Sequence, residues 1–161
     1  KKEYLAVVCG KTQESGTIDI PIYRPDPMKT LRKAGEHGDR AVTHYEKIKG
    51  NDTYSFLKIH LETGRTHQIR VHMNYIGHPL FNDERYGGSE IRKGTIYAKY
   101  KQLIRNCFEL CPRQALHAKT LGFNHPRTGE FIRFDSDLPQ DMQALIKKWR
   151  DYAGNMKEQE D

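Results

Sequence analysis

Leu61-Glu62-Thr63-Gly64-Arg65-Thr66-His67-Gln68-Ile69-Arg70-Val71-His72-Met73 is the stretch whose reading decides the fold. Two arginines, two histidines, a glutamine and two threonines fall in this run, threaded by Ile69, Val71 and Met73 as apolar anchors. A packed core does not call for such a density of cationic and hydrogen-bonding groups, whereas a polyanion and the edges of a base do. Its period reads two ways. Alternation sets Gln68, Arg70 and His72 on one face of a strand; helical spacing aligns Ile69, Met73 and Ile76. Two end signals favour the helix: Thr66 at the N-cap position and Gly77 just past the last turn. On that reading His67, Arg70 and Asn74 share a face, three and four residues apart. A helix N-terminus beside Arg65 also offers free N–H groups to a phosphate.

Upstream, Thr53 to Leu61 alternates cleanly, with Leu57, Ile59 and Leu61 on one face and Phe56, Lys58 and His60 on the other. Ala41 to Lys49 forms a strand before it, across Gly50-Asn51-Asp52. Tyr4 to Cys9 is a further short strand bounded by Gly10. Ile18, Ile20 and Ile22 alternate around Pro21, which marks an edge or irregular strand because proline cannot donate to a ladder. Residues 24 to 40, rich in proline, glycine and charge, read as an exposed loop. Downstream, Tyr97 to Leu110 carries Tyr100, Leu103, Ile104, Cys107 and Phe108 at helical spacing, and Pro112 stops it. Ala115 to Phe123 and Glu130 to Phe134 suit a hairpin. Asp137 is placed to cap a last helix whose stripe is Met142, Leu145, Ile146 and Trp149, and residues 154–161 read as a frayed tail. Neighbouring strands with irregularly interspersed helices predict an α+β fold, a mostly antiparallel mixed β-sheet with flanking helices.

The bulk properties agree with one domain. A chain of 161 residues is long enough for a single core and short for two. Lysine and arginine number 27 against 21 acidic residues, an excess that steers toward a polyanionic partner. No apolar run reaches the roughly 18 residues of a membrane span. Cys9, Cys107 and Cys111 form neither a Cys-x-x-Cys motif nor a set with histidines at metal-ligand spacing, so no metal is expected. Cys107 and Cys111, four apart on a helix, read as small hydrophobes. A reducing cytoplasm is the expected location.

The long run, together with Gly77-His78-Pro79-Leu80, Asn82-Asp83 and Tyr86-Gly87-Gly88, resembles the signature of RluA-type pseudouridine synthases. Lys2-Glu3-Tyr4-Leu5-Ala6-Val7-Val8-Cys9-Gly10 is similar to the family's Lys-x-Tyr-x-Ala strand. Arg113-Gln114-Ala115-Leu116-His117-Ala118, with Asn124-His125-Pro126 after it, is similar to its Leu-His-Ala and His-Pro block. The resemblance implies the catalytic-domain fold of that family, in part, over residues 1–153. It implies isomerisation of uridine to pseudouridine at C5, with no cofactor, on RNA: large-subunit ribosomal RNA foremost, transfer RNA as the alternative. It also implies roles. Arg70 matches the arginine that pairs with the catalytic aspartate, a task suited to a permanently charged, two-donor side chain. Tyr4 matches the tyrosine that stacks on the base, and Leu116 the apolar lining of the uracil pocket. Arg65, Thr66, His67 and Gln68 are placed to contact RNA; Lys11, Arg85, Arg92 and Lys99 extend the basic surface. His67, His72, His117 and His125 lack a shared metal spacing and read as hydrogen-bonding or core residues.

One departure stands out. The family's reacting aspartate lies in an Arg-Leu-Asp motif ahead of the Lys-x-Tyr strand, and this chain has no such motif. Asp83 belongs to a second patch where a structural role after the helix is expected. The chain therefore reads as the later part of a synthase domain, inactive by itself, or else as a non-catalytic RNA-binding module of the same fold. If the missing half normally pairs with the Tyr4 strand, that strand becomes an open edge, and self-association through it is expected.

Overall fold

A computed structural model describes residues 2–89 and 98–160, with side chains of 98–100 and 152–160 left aside. Its frame is a six-stranded sheet in which every pairing is antiparallel, in the order β2-β5-β6-β1-β7-β8. The strands are β1 (Lys2–Cys9), β2 (Ser15–Asp19), β5 (Val42–Gly50), β6 (Tyr54–Leu61), β7 (Leu116–Asn124) and β8 (Phe131–Asp135). A two-residue pair, β3 (Ile22–Tyr23) with β4 (Lys33–Ala34), forms a small lobe beside it. Helix α1 (Gln68–Tyr75) follows β6; α2 (Ala98–Leu110) and α3 (Gln140–Glu160) complete the chain.

Period-two alternation divides the sheet into two apolar faces. Ala6, Val8, Leu57 and Ile59 point to one, where Ile69 and Met73 of α1 meet them. Leu5, Val7, Tyr54 and Phe56 point to the other, covered by Leu103, Ile104 and Cys107 of α2 and Met142, Leu145, Ile146 and Trp149 of α3. Trp149 stacks on Tyr54 with ring centroids 5.5 Å apart. Each fully buried aliphatic side chain here contributes about 1.5–3 kcal/mol. An isolated eight-residue helix is unstable in water, so α1 exists because the sheet buries its Ile69 and Met73 and the small lobe its Val71.

Several expectations match: the alternation of β6, the edge position of β2, the α2 and α3 stripes, and Cys107 and Cys111 as buried residues. Gly77 ends α1 as anticipated, at φ 85°, with its N–H on the Asn74 carbonyl and that of His78 on the Met73 carbonyl.

Other expectations need correction. Thr66 does not cap α1; the N-cap is His67, in the left-handed region at φ 56°, with no side-chain cap bond. Asp137 likewise lies ahead of α3, which opens at Gln140 after Pro139. The α3 backbone stays helical to Glu160, beyond the point where fraying was anticipated. Arg92 and the side chains of Lys99 and Tyr100 lie outside the described residues.

The largest correction concerns β1. It is an interior strand, paired from Glu3 to Cys9 with β6 and from Lys2 to Ala6 with β7. Its remaining ladder positions are also filled, by Ala115, Pro79 and Phe81. It offers no free ladder, so the self-association predicted for the N-terminal strand has no basis in the sheet. The open edges are β2 and β8.

Candidate active site

Arg70 lies in the first turn of α1, and its guanidinium is gripped by one carboxylate. Nε donates to Asp83 Oδ2 and Nη2 to Asp83 Oδ1, both at 2.8 Å. The Asp83 side chain is 1% exposed and that of Arg70 12%. The Tyr86 ring lies under the guanidinium, 4.8 Å from Cζ to the ring centroid. The bond to Asp83 is the main reason Arg70 holds its proton more tightly than a free arginine. Two of five N–H donors are therefore taken. Both donors on Nη1 and the second on Nη2 have no partner among the described residues.

Asp83 reaches this position through a compact turn. Leu80 carbonyl accepts the Asp83 N–H, the Asp83 carbonyl accepts the Gly88 N–H, and the Gly88 carbonyl accepts that of Asn82. A Cβ at residue 88 would sit 1.7 Å from the Leu80 carbonyl oxygen, so only glycine closes the turn. Asn82 takes φ 59°. Left-handed backbone at His67 and Asn82 costs roughly 1–2 kcal/mol at each non-glycine position. Both outliers flank the Arg70–Asp83 pair.

A second network fixes the loop ahead of α1. Gln68 is buried, and its amide is fully used: Oε1 accepts from the Thr63 hydroxyl and the Arg65 N–H, Nε2 donates to the Val42 carbonyl and to Thr43 Oγ1. Gln68 is thus a clamp between loop and sheet, and its assignment to RNA contact is corrected: no donor or acceptor is left for RNA. Thr43 in turn donates to His72 Nδ1 at 2.7 Å, and His72 Nε2–H donates to the Ile20 carbonyl at 2.8 Å. The carbonyl can only accept, so Nε2 of His72 carries a proton.

Burial is the main cause that pushes the His72 pKa below the ordinary histidine value, against the smaller opposing effects of the Ile20 bond and Asp19. The neutral form is the one that folds. Its contribution is fully present above the unfolded pKa of about 6.5 and is lost as pH falls from there through the lower folded value. Urea unfolding at pH 7.5, 6 and 5 should show stability dropping on the acid side. A His72→Gln variant should flatten that drop; an equal drop in the variant counts against His72 as its source.

Tyr4 and Leu116 share the α1 face of the sheet. Tyr4 faces Ile59 and Ala118 across its neighbours, Leu116 faces Ala6, and both are half-buried against the cluster holding Ile69 and Met73. Tyr4 lines a cavity of about 370 Å³ with Ala118, Leu121, Phe134 and Ser136; Arg70 does not line it. Arg65 and Thr66 are exposed, with Arg65 Nε on the Arg40 carbonyl. His67 is half-buried, with Nδ1 2.7 Å from the Tyr86 hydroxyl. Sequence reading gave Asp83 no partner and Tyr86 no role. Their three-residue spacing in a turn carries no periodicity that would have linked them to Arg70. Among the described residues no three His, Cys, Asp or Glu side chains gather as a metal site needs.

A family model described as RNA pseudouridylate synthase matches residues 1–75. The chain is 43% identical to the ribosomal large subunit pseudouridine synthase D of Vibrio cholerae, over 94% of this chain and 46% of that protein. Over most of its length the chain is thus similar to RNA pseudouridine synthases of the RluA type. A protein of Bacillus subtilis named as an uncharacterized RNA pseudouridine synthase is 44% identical over 91% of this chain and 46% of its own length. The chain spans about half the length of the curated relatives it matches. Its fold is that of human RNA pseudouridylate synthase domain containing 4, at a TM-score of 0.65 and 20% identity, covering 92% of this chain and 62% of that one. No helix of the described residues is long and apolar enough to cross a membrane.

Proposed function

We propose that this chain forms the arginine side of the active site of an enzyme that isomerises uridine to pseudouridine in large-subunit ribosomal RNA. The reaction breaks the bond from C1′ to uracil N1, turns the base, and joins C1′ to C5. The proton leaves C5, N1 gains one, and the composition of the nucleotide is unchanged. A carboxylate from sequence outside these 161 residues reacts with the nucleotide after the base has left its stack, which costs a few kcal/mol. Arg70 keeps that carboxylate ionised and aimed. Tyr4 stacks on the base, and Leu116 lines the uracil pocket.

The observation that carries this reading is the state of Arg70: oriented by Asp83 and Tyr86, largely withdrawn from water, and with three N–H donors uncommitted among the described residues. The ribosomal substrate rests on the names of relatives such as the Vibrio cholerae protein. The test uses the full-length protein and transcripts labelled with tritium at uridine C5, where isomerisation releases the label. Release from large-subunit ribosomal RNA is the expected result. No release from any RNA would leave an RNA-binding module of the same fold.

A further inference from the structure

The lobe of residues 22–40 is held firmly in place. Ile22 and Leu31 pack with Ala41, Val71 and Tyr86. The Tyr86 hydroxyl accepts the Arg32 N–H at 3.1 Å, Arg85 Nη1 donates to Thr30 Oγ1 at 2.8 Å, and Arg65 Nε donates to the Arg40 carbonyl. The segment that read as an exposed loop thus brings Arg32 against the turn that carries Arg85, and His67 bonds the same Tyr86 hydroxyl that accepts the Arg32 N–H.

The charges there are unbalanced. Arg40, Arg70, Arg113 and Arg133 each pair with a carboxylate. Arg32 and Arg85 make no ion pair among the described residues. After burial, the cations that act most on the His67 imidazole are Arg70, Arg85 and Arg32, and they hold its pKa below the ordinary value. Asp83, the one carboxylate acting on it, is engaged with Arg70. The imidazole is therefore neutral. Its Nδ1 lies 2.7 Å from the Tyr86 hydroxyl, which also accepts the Arg32 N–H. When the hydroxyl donates to Nδ1, Nε2 carries the proton, and Nε2 has no partner among the described residues.

Arg32 Nη1 donates to the Thr30 carbonyl and Arg85 Nη1 to the Thr30 hydroxyl, so two cations with no carboxylate partner among the described residues meet at one residue of the lobe, and their mutual repulsion is relieved by an anion. We propose that Arg32, Arg85 and His67 Nε2–H form a subsite for a backbone phosphate of the RNA, adjoining Arg70. The inference rests on the RNA-directed reading above and deepens it: it names side chains that position the strand without reading its sequence.

The test is equilibrium binding of this chain to a fluorescein-labelled, uridine-containing stem-loop RNA, followed by anisotropy between about 50 and about 200 mM salt. Each phosphate-neutralising cation contributes roughly 0.7–0.9 to the slope of log affinity against log salt. Arg32→Ala/Arg85→Ala should lower that slope by about 1–2 and weaken binding about tenfold at low salt. Arg32→Lys/Arg85→Lys should restore most of the slope, because a point charge still neutralises phosphate. Lys147→Ala/Lys148→Ala, removing two exposed charges from α3 beyond the other face of the sheet, should change the slope little. Three results overturn the subsite: an unchanged slope in the alanine double variant, an equal loss in the α3 control, or no RNA binding by the unaltered chain at low salt. None of them depends on tritium release by the full-length protein, so failure of the subsite and failure of the isomerase reading are told apart.

Discussion

Arg70→Ala in the full-length protein is expected to reduce uridine isomerisation by about 10³-fold, the scale seen when one preorganised electrostatic donor is removed from a reacting centre. The loss follows from geometry. Asp83 and the Tyr86 ring lock the guanidinium before substrate arrives, so its free donors stabilise a second carboxylate without reorganising. Removing it leaves that carboxylate unaimed and easier to protonate. Arg70→Lys should recover little activity, since an ammonium cannot bond Asp83 through two parallel donors and still present a fixed fork. Single-turnover tritium release is the measurement, with RNA affinity in parallel, where only a few-fold change is expected. Activity that survives Arg70→Ala intact would remove the central role assigned here.

Asp83→Ala should produce the largest loss of stability, about 3–5 kcal/mol, because it strips the partner from a charge that is mostly withdrawn from water. Arg70 would then have to swing outward or keep an uncompensated charge beside Tyr86. Denaturant unfolding of this chain measures it. Removing both partners together separates pair energy from burial: Arg70→Met/Asp83→Ala should cost less than Asp83→Ala alone, since no unpaired charge remains. A loss of under about 1 kcal/mol in Asp83→Ala would mean that the pair is solvated like a surface bridge, against the 1% exposure of the carboxylate.

Some of this was legible in the residues and some was not. The alternation of Leu57, Ile59 and Leu61, the stripes of α2 and α3, and the stop at Gly77 are properties of short stretches, and they hold in the structure. The cationic run around Arg70 also announced itself. Thr66 misled because a good capping residue lay one position ahead of a left-handed histidine. Gln68 misled because its polarity says nothing about direction; it faces inward, where β5 supplies a carbonyl and a hydroxyl.

By itself the chain of residues determined which segments become strands and helices and where the cationic chemistry lies, since periodicity, turn residues and charge act over a few positions. The tertiary structure alone decided that β1 runs through the middle of the sheet, that Asp83 holds Arg70, and that Arg32 and Arg85 meet at Thr30. Those outcomes depend on ladder order and on contacts between residues 13 to 55 positions apart, and no local pattern encodes which distant partner a side chain will find.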